Sequence, residues 1–163
     1  MKRFVYLPVM VVMLLALIVP SSALAAGATQ ISGVGYLAQP GDCNDPQGTG
    51  ASYAVVMTGD LVGCHYSFIE SFTMSPSGAY NEMGHEVFVG SYNGQPGTFE
   101  TTYRFTAKYT NSTDFIEVEG RCQHPLQAGS GTGVFAGMTG RLDMRDNVVA
   151  GVAVDFPYRG HLK

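Results

Sequence analysis

Positively charged residues are scarce in this chain of 163 residues, which has 9 Lys and Arg against 13 Asp and Glu. Two of the nine, Lys2 and Arg3, stand in an N-terminal segment that we expect to be removed on export. Without them seven basic residues remain, and the net charge is −6. Nucleic acids and anionic membranes are therefore not expected as partners, because both attract basic proteins.

Long apolar runs are absent from the chain after its N-terminal segment. Residues 4–19 are apolar apart from one proline, follow the basic start and precede an Ala-x-Ala exit that ends at Ala25. This order is typical of a secretory signal peptide, and the run is too short for a membrane span. We predict a signal peptide at 1–26, one domain at 27–163, and a secreted protein, extracellular or periplasmic, with no membrane anchor in its mature form.

Helical periodicity is also absent after residue 27, where apolar and polar residues alternate with period two in many short segments. Between Phe99 and Tyr109, for example, aromatic and small residues take every second position. Such alternation predicts half-buried antiparallel strands, and turn pairs such as Asn93-Gly94 predict hairpins. Eight such segments follow one another: 31–38, 53–61, 65–72, 80–92, 98–109, 115–124, 140–145 and 152–162.

Eight consecutive strands in an open sheet would leave two unpaired edges exposed. Closure into a single eight-stranded antiparallel up-and-down β-barrel removes both edges and encloses room for side chains or one small ligand. The predicted fold class is therefore all-β with this barrel architecture. A two-sheet sandwich is the alternative arrangement of the same strands.

A glycine-rich run, GSGTGVFAGMTG, occupies residues 129–140. Together with the segment up to Asp146 and the closing Tyr158-Arg159-Gly160-His161-Leu162, it resembles the end of the allene oxide cyclase barrel superfamily. Plant dirigent proteins have a comparable glycine-rich element, and two further segments, TGDLVG at 58–63 and GHEVFVG at 84–90, look like secreted bacterial domains of this type. The resemblance implies the barrel, with the glycines forming a tight turn and plug before the last strands.

The resemblance does not extend to the catalytic residues of the plant cyclases. Those enzymes carry a Glu-x-Asn pair on an early strand, whereas the corresponding segment here, residues 31–38, has neither a carboxylate nor an amide. No catalytic residue can therefore be assigned to this chain from the cyclases, and none from the dirigent proteins.

Three cysteines predict one disulfide and one free thiol in an exported chain. In the barrel, Cys64 opens the third strand at the end toward which the strand with Cys122 runs, so a Cys64–Cys122 bond is favoured. Cys43, in the first loop, is the rival partner of Cys64. Cys122 also shares its strand face with His124, and with Ile116, Val118 and Gly120.

Two carboxylates are candidate acid/base residues of the lumen, provided that the aromatic faces of the strands point inward. Glu70 would share its face with Tyr66, Phe68 and Phe72, and Glu86 would share its face with Phe88. A carboxyl group among aromatic rings has a raised pKa and suits proton transfer. The expected ligand-binding side chains are aromatic: Tyr66, Phe68, Tyr103, Phe105 and Tyr158.

No cofactor and no metal site are predicted. Gly131-Thr132-Gly133 approaches a dinucleotide fingerprint, but no βαβ unit surrounds it, and no Gly-Lys-Ser/Thr follows for a phosphate loop. Cys122-x-His124 on one strand is a weak metal signal, because the other histidines, His65, His85 and His161, show no ligand spacing. The expected function is binding of a small hydrophobic or aromatic molecule in the lumen. The alternatives are a cofactor-free isomerase, cyclase or dirigent-like guide, and a packed structural domain. Oligomers are compatible with this type of barrel.

Overall fold

The computed structural model describes residues 27–43 and 50–163. The predicted signal peptide, 1–26, lies outside the described residues. The described part is all-β apart from one turn of 3-10 helix at Gly133–Phe135. Its strands are β1 (Thr29–Leu37), β2 (Tyr53–Gly59), β3 (Leu61–Met74), β4 (Ala79–Tyr92), β5 (Gln95–Tyr109), β6 (Glu117–Pro125), β7 (Gly140–Arg145), β8 (Asn147–Val149) and β9 (Val152–Leu162).

Eight of these strands close into an antiparallel up-and-down barrel, which confirms the predicted fold. From β1 to β7, each strand pairs with the next strand in the chain, and β7 then pairs with β9. The ring closes where β9 pairs with β1, from Thr29 opposite Leu162 to Gly35 opposite Phe156. The short β8 is an addition to the eight predicted segments. It forms a hairpin with the start of β9 and takes no place in the ring.

The hairpin between β4 and β5 is the best determined from the sequence. Asn93 and Gly94 both have positive φ angles, 51° and 75°, as a two-residue type I′ turn requires. The turn pairs Tyr92 with Gln95 and sets the register down both strands. On β5 the predicted inward residues Phe99, Thr101 and Tyr103 are buried as expected.

The glycine-rich run closes one end of the barrel, which we call the closed end. Its 3-10 turn brings Phe135, fully buried, against Phe99 and Phe88 with ring centroids 4.9 and 5.7 Å apart. A Cβ at Gly97 would lie 2.4 Å from the carbonyl oxygen of Thr132, so only glycine lets the run approach β5 this closely. Gly131, Gly133 and Gly140 pack against backbone atoms, whereas Gly129 and Gly137 have positive φ angles and open space around them. The run therefore forms a tight turn packed against the barrel, as predicted.

Two bulges change which residues face inward. The register between β5 and β6 shifts between Lys108 and Tyr109, so that Glu119 pairs with Lys108 but Glu117 pairs with Tyr109. Glu117 is therefore buried, whereas Val118, predicted to face inward with Cys122 and His124, is exposed. A bulge adds one residue and inverts the alternation beyond it. The other bulge lies in β3, between Ile69 and Ser71.

The disulfide joins Cys43 to Cys64, and Cys122 is free and buried. The favoured Cys64–Cys122 pairing is therefore wrong. Cys122 lines the interior, whereas Cys64 alternates with the interior residue His65 and so lies on the other face of the barrel wall. The loop after β1 is long enough for Cys43 to reach that outer face. Among the described residues, no helix is long and apolar enough to cross a membrane.

Candidate functional site

A cavity of about 250 Å³ lies inside the barrel at the end opposite the plug, which we call the open end. More than half of its wall residues are aromatic or aliphatic, and these come from six of the eight barrel strands, β1, β2, β4, β5, β7 and β9. Five of its residues carry ring systems other than imidazole: Tyr53, Tyr80, Phe105, Tyr109 and Phe156. Its polar residues are His65, Glu82, Glu86, Glu117, Cys122, His124 and Asp146. The cavity is thus an apolar chamber with a small number of ionisable groups.

Glu86 is the centre of a buried polar network at the inner end of this cavity. Its two carboxylate oxygens accept hydrogen bonds from the Ser67 hydroxyl at 3.0 Å and the Thr101 hydroxyl at 2.7 Å. The His124 Nδ1 lies 2.6 Å from Glu86 Oε2, and the His65 Nε2 lies 3.4 Å from the same oxygen. Side chains from β3, β5 and β6 therefore converge on one carboxylate of β4.

The network keeps Glu86 ionised and His65 neutral. Burial by itself disfavours the carboxylate. However, the imidazoles of His124 and His65, with the hydrogen bonds from His124 and Thr101, lower the pKa of Glu86 to about 2. Burial lowers the pKa of His65 to about 4, although the charge of Glu86 opposes this shift. Glu86 lies inside the barrel, as predicted, but its partners are hydroxyls and imidazoles, and its pKa is lowered and not raised.

The contact between His124 Nδ1 and Glu86 leaves the other imidazole nitrogen of His124 without a partner. With the Nδ1 proton directed at the carboxylate, the buried Nε2 of His124 has no hydrogen bond to any described residue. A carboxylate that orients an imidazole in this way leaves Nε2 facing the cavity without a protein partner. The arrangement can therefore bind a polar ligand atom or accept a proton.

The same three side chains are close enough to be considered as metal ligands. One ligand atom from each of His65, Glu86 and His124 lies within 4.8 Å of the others. A metal-bound histidine usually donates its second ring N–H to a protein acceptor, and the Nε2 of His124 has none among the described residues. The polar partners present thus fit a hydrogen-bonded carboxylate and imidazole better than a metal centre.

Glu82 precedes Glu86 on the inward face of β4, and two tyrosines donate hydrogen bonds to it. The hydroxyls of Tyr80 and Tyr103 donate to its two oxygens at 2.5 and 2.7 Å. Burial and the hydrogen bond to Glu82 raise the pKa of both tyrosines, so their hydroxyls stay protonated as donors. No lysine, arginine or histidine in the described residues forms an ion pair with Glu82.

Glu117 and Asp146 form a second acidic group at the open end. Both approach Gly120 so closely that a Cβ there would lie 2.2 Å from Asp146 Oδ2 and 2.7 Å from Glu117 Oε1. Burial, then the hydrogen bond to Glu117 and its charge, raise the pKa of Asp146 to about 8. Asp146 therefore keeps its proton at neutral pH and donates it to the neighbouring Glu117.

Cys122 is not an activated nucleophile, although its thiol lines the cavity. Burial is the largest cause of a strongly raised thiol pKa, and the charge of Glu86 adds to it. The thiol is therefore protonated at neutral pH, whereas nucleophilic cysteines have lowered pKa values.

Three of the residues predicted on β3 do not reach the lumen. Tyr66 and Phe68 alternate with the interior residues His65 and Ser67, and Phe68 stacks on the exposed His85 with ring centroids 4.7 Å apart. Glu70 falls in the bulge, is 63% exposed and lies 2.8 Å from His85 Nδ1. The prediction of an inward aromatic face on β3 was wrong, because polar partners of Glu86 occupy that face.

The other predicted site residues lie inside the barrel but not all at the cavity. Phe105 lines it, and Tyr103 donates to Glu82 beside it. Tyr158 is buried nearer the closed end, where its hydroxyl donates to the Thr58 carbonyl oxygen and accepts from the Leu61 N–H. It is absent from the cavity wall and serves as a buried hydrogen-bonded core residue.

Five polar residues of the site were not predicted as site residues: His65, His124, Glu82, Glu117 and Asp146. His124 was placed on the inward face of β6, and the Asn93-Gly94 turn pairs Glu86 with Thr101 and Glu82 with Phe105. That register was a usable signal for Glu82. No pattern in the sequence marks Glu117, because a bulge turns it inward.

Comparison with known proteins adds no family to this description. No protein-family model matches the chain, and no curated protein matches it.

Proposed function

We propose that the protein is an exported barrel of the allene oxide cyclase type that binds one small apolar or aromatic molecule in its cavity. The observation that carries the proposal is the chamber of about 250 Å³ with five aromatic residues in its wall. The disulfide supports export, because such bonds persist in oxidising compartments. The plugged eight-stranded barrel supports the proposed superfamily.

The dimensions of the chamber suit a single compact molecule. An apolar cavity of about 150 Å³ can hold benzene, and pockets that bind drug-sized ligands have volumes of about 300 Å³ or more. The chamber lies between these sizes. A bicyclic aromatic compound is therefore the expected size of ligand, with Glu86, His124 and the tyrosine hydroxyls available to its polar atoms.

Indole and 2-naphthol are suitable neutral probes for this proposal. We expect both to bind and to shift amide NMR signals of cavity residues, with dissociation constants in the micromolar to millimolar range. The variant Ala153→Phe fills the chamber from β9 and should abolish the shifts. Ala79→Phe, on the exposed start of β4, is the matched control and should leave binding unchanged. Absence of binding of either probe at millimolar concentration would refute the proposal.

We propose proton transfer on the bound molecule as a second candidate function, that of a cofactor-free isomerase or cyclase. The observation that favours it is the unpartnered Nε2 of His124, whose Nδ1 is held by Glu86. In this role His124 removes a proton from a carbon next to a carbonyl group and returns it to the enolate. Glu86 orients the ring and stabilises the imidazolium.

Deuterium exchange into 2-tetralone in D2O tests this second function without knowledge of the natural substrate. We expect the protein to accelerate exchange at the carbons beside the carbonyl group, and His124→Gln to reduce that acceleration by about 100-fold. Cys122→Ser changes another cavity residue on the same strand and should retain the rate. Exchange at the wild-type rate in His124→Gln would exclude His124 as the base.

A further inference from the structure

The cavity lining is rich in carboxyl groups. Its lining contains four carboxyl groups, those of Glu82, Glu86, Glu117 and Asp146, and neither lysine nor arginine. Buried carboxylates in folded proteins are almost always compensated by a cation or by several hydrogen bonds. Glu86 has such compensation in its four polar neighbours. The remaining three carboxyl groups have no positive partner among the described residues.

The pair at the open end is the least compensated. Glu117 is 9% exposed, and apart from the Asp146 carboxyl group beside it, its buried Oε1 has no hydrogen-bond donor among the described residues. Asp146, half-buried, presents its carboxyl group to the same space above Gly120. The proton on Asp146 neutralises one of the two carboxyl groups. A cation bound between them would compensate the negative charge that remains.

Aromatic rings surround the approach to this pair. Tyr109 of β5 pairs directly with Glu117 of β6, and the Tyr109 ring contacts the Tyr80 ring edge to face with centroids 5.9 Å apart. Tyr80 in turn contacts Phe105 with centroids 6.0 Å apart. Aromatic faces attract ammonium groups, and the attraction is stronger where water is excluded. Carboxylates with aromatic rings form the usual environment of a bound organic cation.

We propose that the ligand of the cavity carries a protonated amine, which binds between Glu117 and Asp146 while its apolar body fills the aromatic chamber. This inference rests on the proposed function and specifies the chemical class of the ligand. A metal ion suits these residues less well. Glu82, Glu117 and Asp146 do not bring three ligand atoms together, and both oxygens of Glu82 already accept from tyrosines.

The test compares 2-phenylethylamine with 2-phenylethanol, which differ in a single polar group. By isothermal titration calorimetry at pH 7.5 we expect the amine to bind at least about tenfold more tightly than the alcohol. The double variant Glu117→Gln/Asp146→Asn should reduce amine affinity to that of the alcohol and leave alcohol affinity unchanged. Glu119→Gln, two residues from Glu117 on the exposed face of β6, removes the same charge and should have no effect.

The amine should also bind more tightly as the pH rises from 6 to 8. The free pair holds a proton, since the pKa of Asp146 is raised to about 8, and the ammonium group replaces that proton. The other ionisable groups around the pair are Glu82, Tyr109 and Cys122 inside, and Lys108, Arg121 and Arg145 in the outer groove that Asp146 borders. Affinity of the alcohol should not follow this pH dependence.

The outcomes separate this inference from the proposed function. Equal affinity for amine and alcohol would overturn the inference and leave a neutral-ligand site, and absence of binding by both would overturn the two together. If calcium chloride alone produced the same NMR shifts as the amine, the site would be a metal site and the inference wrong. Circular dichroism of the double variant checks that it is folded; if it is not, the single variant Asp146→Asn replaces it with the same expected loss of preference.

Discussion

Replacing Phe135 by alanine is expected to lower the free energy of unfolding by about 3–5 kcal/mol. The ring is fully buried at the closed end, in contact with Phe88 and Phe99 on neighbouring strands. Its removal leaves a void, because the run that carries it is already in contact with the backbone of β5 at Gly97 and cannot move further inward. Urea denaturation with the disulfide intact measures the change.

The control for this prediction is Phe72→Ala. Phe72 is 65% exposed on β3, so that loss of its ring should change stability by less than about 1 kcal/mol. If Phe135→Ala cost no more than this control, the glycine-rich run would not plug the barrel in solution.

The variant Glu86→Gln is expected to destabilise the protein by a similar amount, about 3–5 kcal/mol. Glutamine keeps the volume of the side chain but replaces one acceptor oxygen with an NH2 group. At least one of the donors on Ser67, Thr101 and His124 would then lose its acceptor. A buried donor without a partner costs about 1–3 kcal/mol, and more where the lost acceptor was charged.

Two measurements distinguish this network from a general packing effect. Thermal or urea unfolding should show the loss in Glu86→Gln and no comparable loss in Glu100→Gln, which alters an exposed carboxylate on β5. The NMR signal of the proton between His124 Nδ1 and Glu86 should disappear only in the first variant. An unfolding midpoint equal to that of the wild type would show that Glu86 is not the centre of the network.

The barrel itself was predictable because period-two alternation and turn residues are local signals. On β5 the alternation identified Phe99, Thr101 and Tyr103 as buried, and Asn93-Gly94 set the register of the longest hairpin. Closure followed from the number of strands, since an open sheet would expose two edges. The location of the glycine-rich run before the last strands was implied by the family resemblance of its residues, and its tight backbone packing followed from its glycine content.

The candidate site was only partly predictable, because the interior is not uniformly apolar. The rule that aromatic faces point inward holds on β5 but fails on β3, where His65 and Ser67 face the lumen to serve Glu86. The rule places Tyr66 and Phe68 on the wrong side of the wall. The need of Glu86 for polar partners thus placed polar residues of β3 in the lumen and its aromatic residues outside. This requirement can be read only once the pairing of β3 with β4 is known.

The amino-acid sequence by itself determined the all-β class, the number of barrel strands, the burial of Glu86 and the character of the glycine-rich run, since each depends on local periodicity or backbone freedom. The tertiary structure alone decided the Cys43–Cys64 bond, the meeting of His65 and His124 at Glu86, and the pairing of Glu117 with Asp146. These features depend on how far a loop extends, on which strands pair, and on bulges that change which residues of a strand face inward. None of these produces a periodic pattern in the amino-acid sequence.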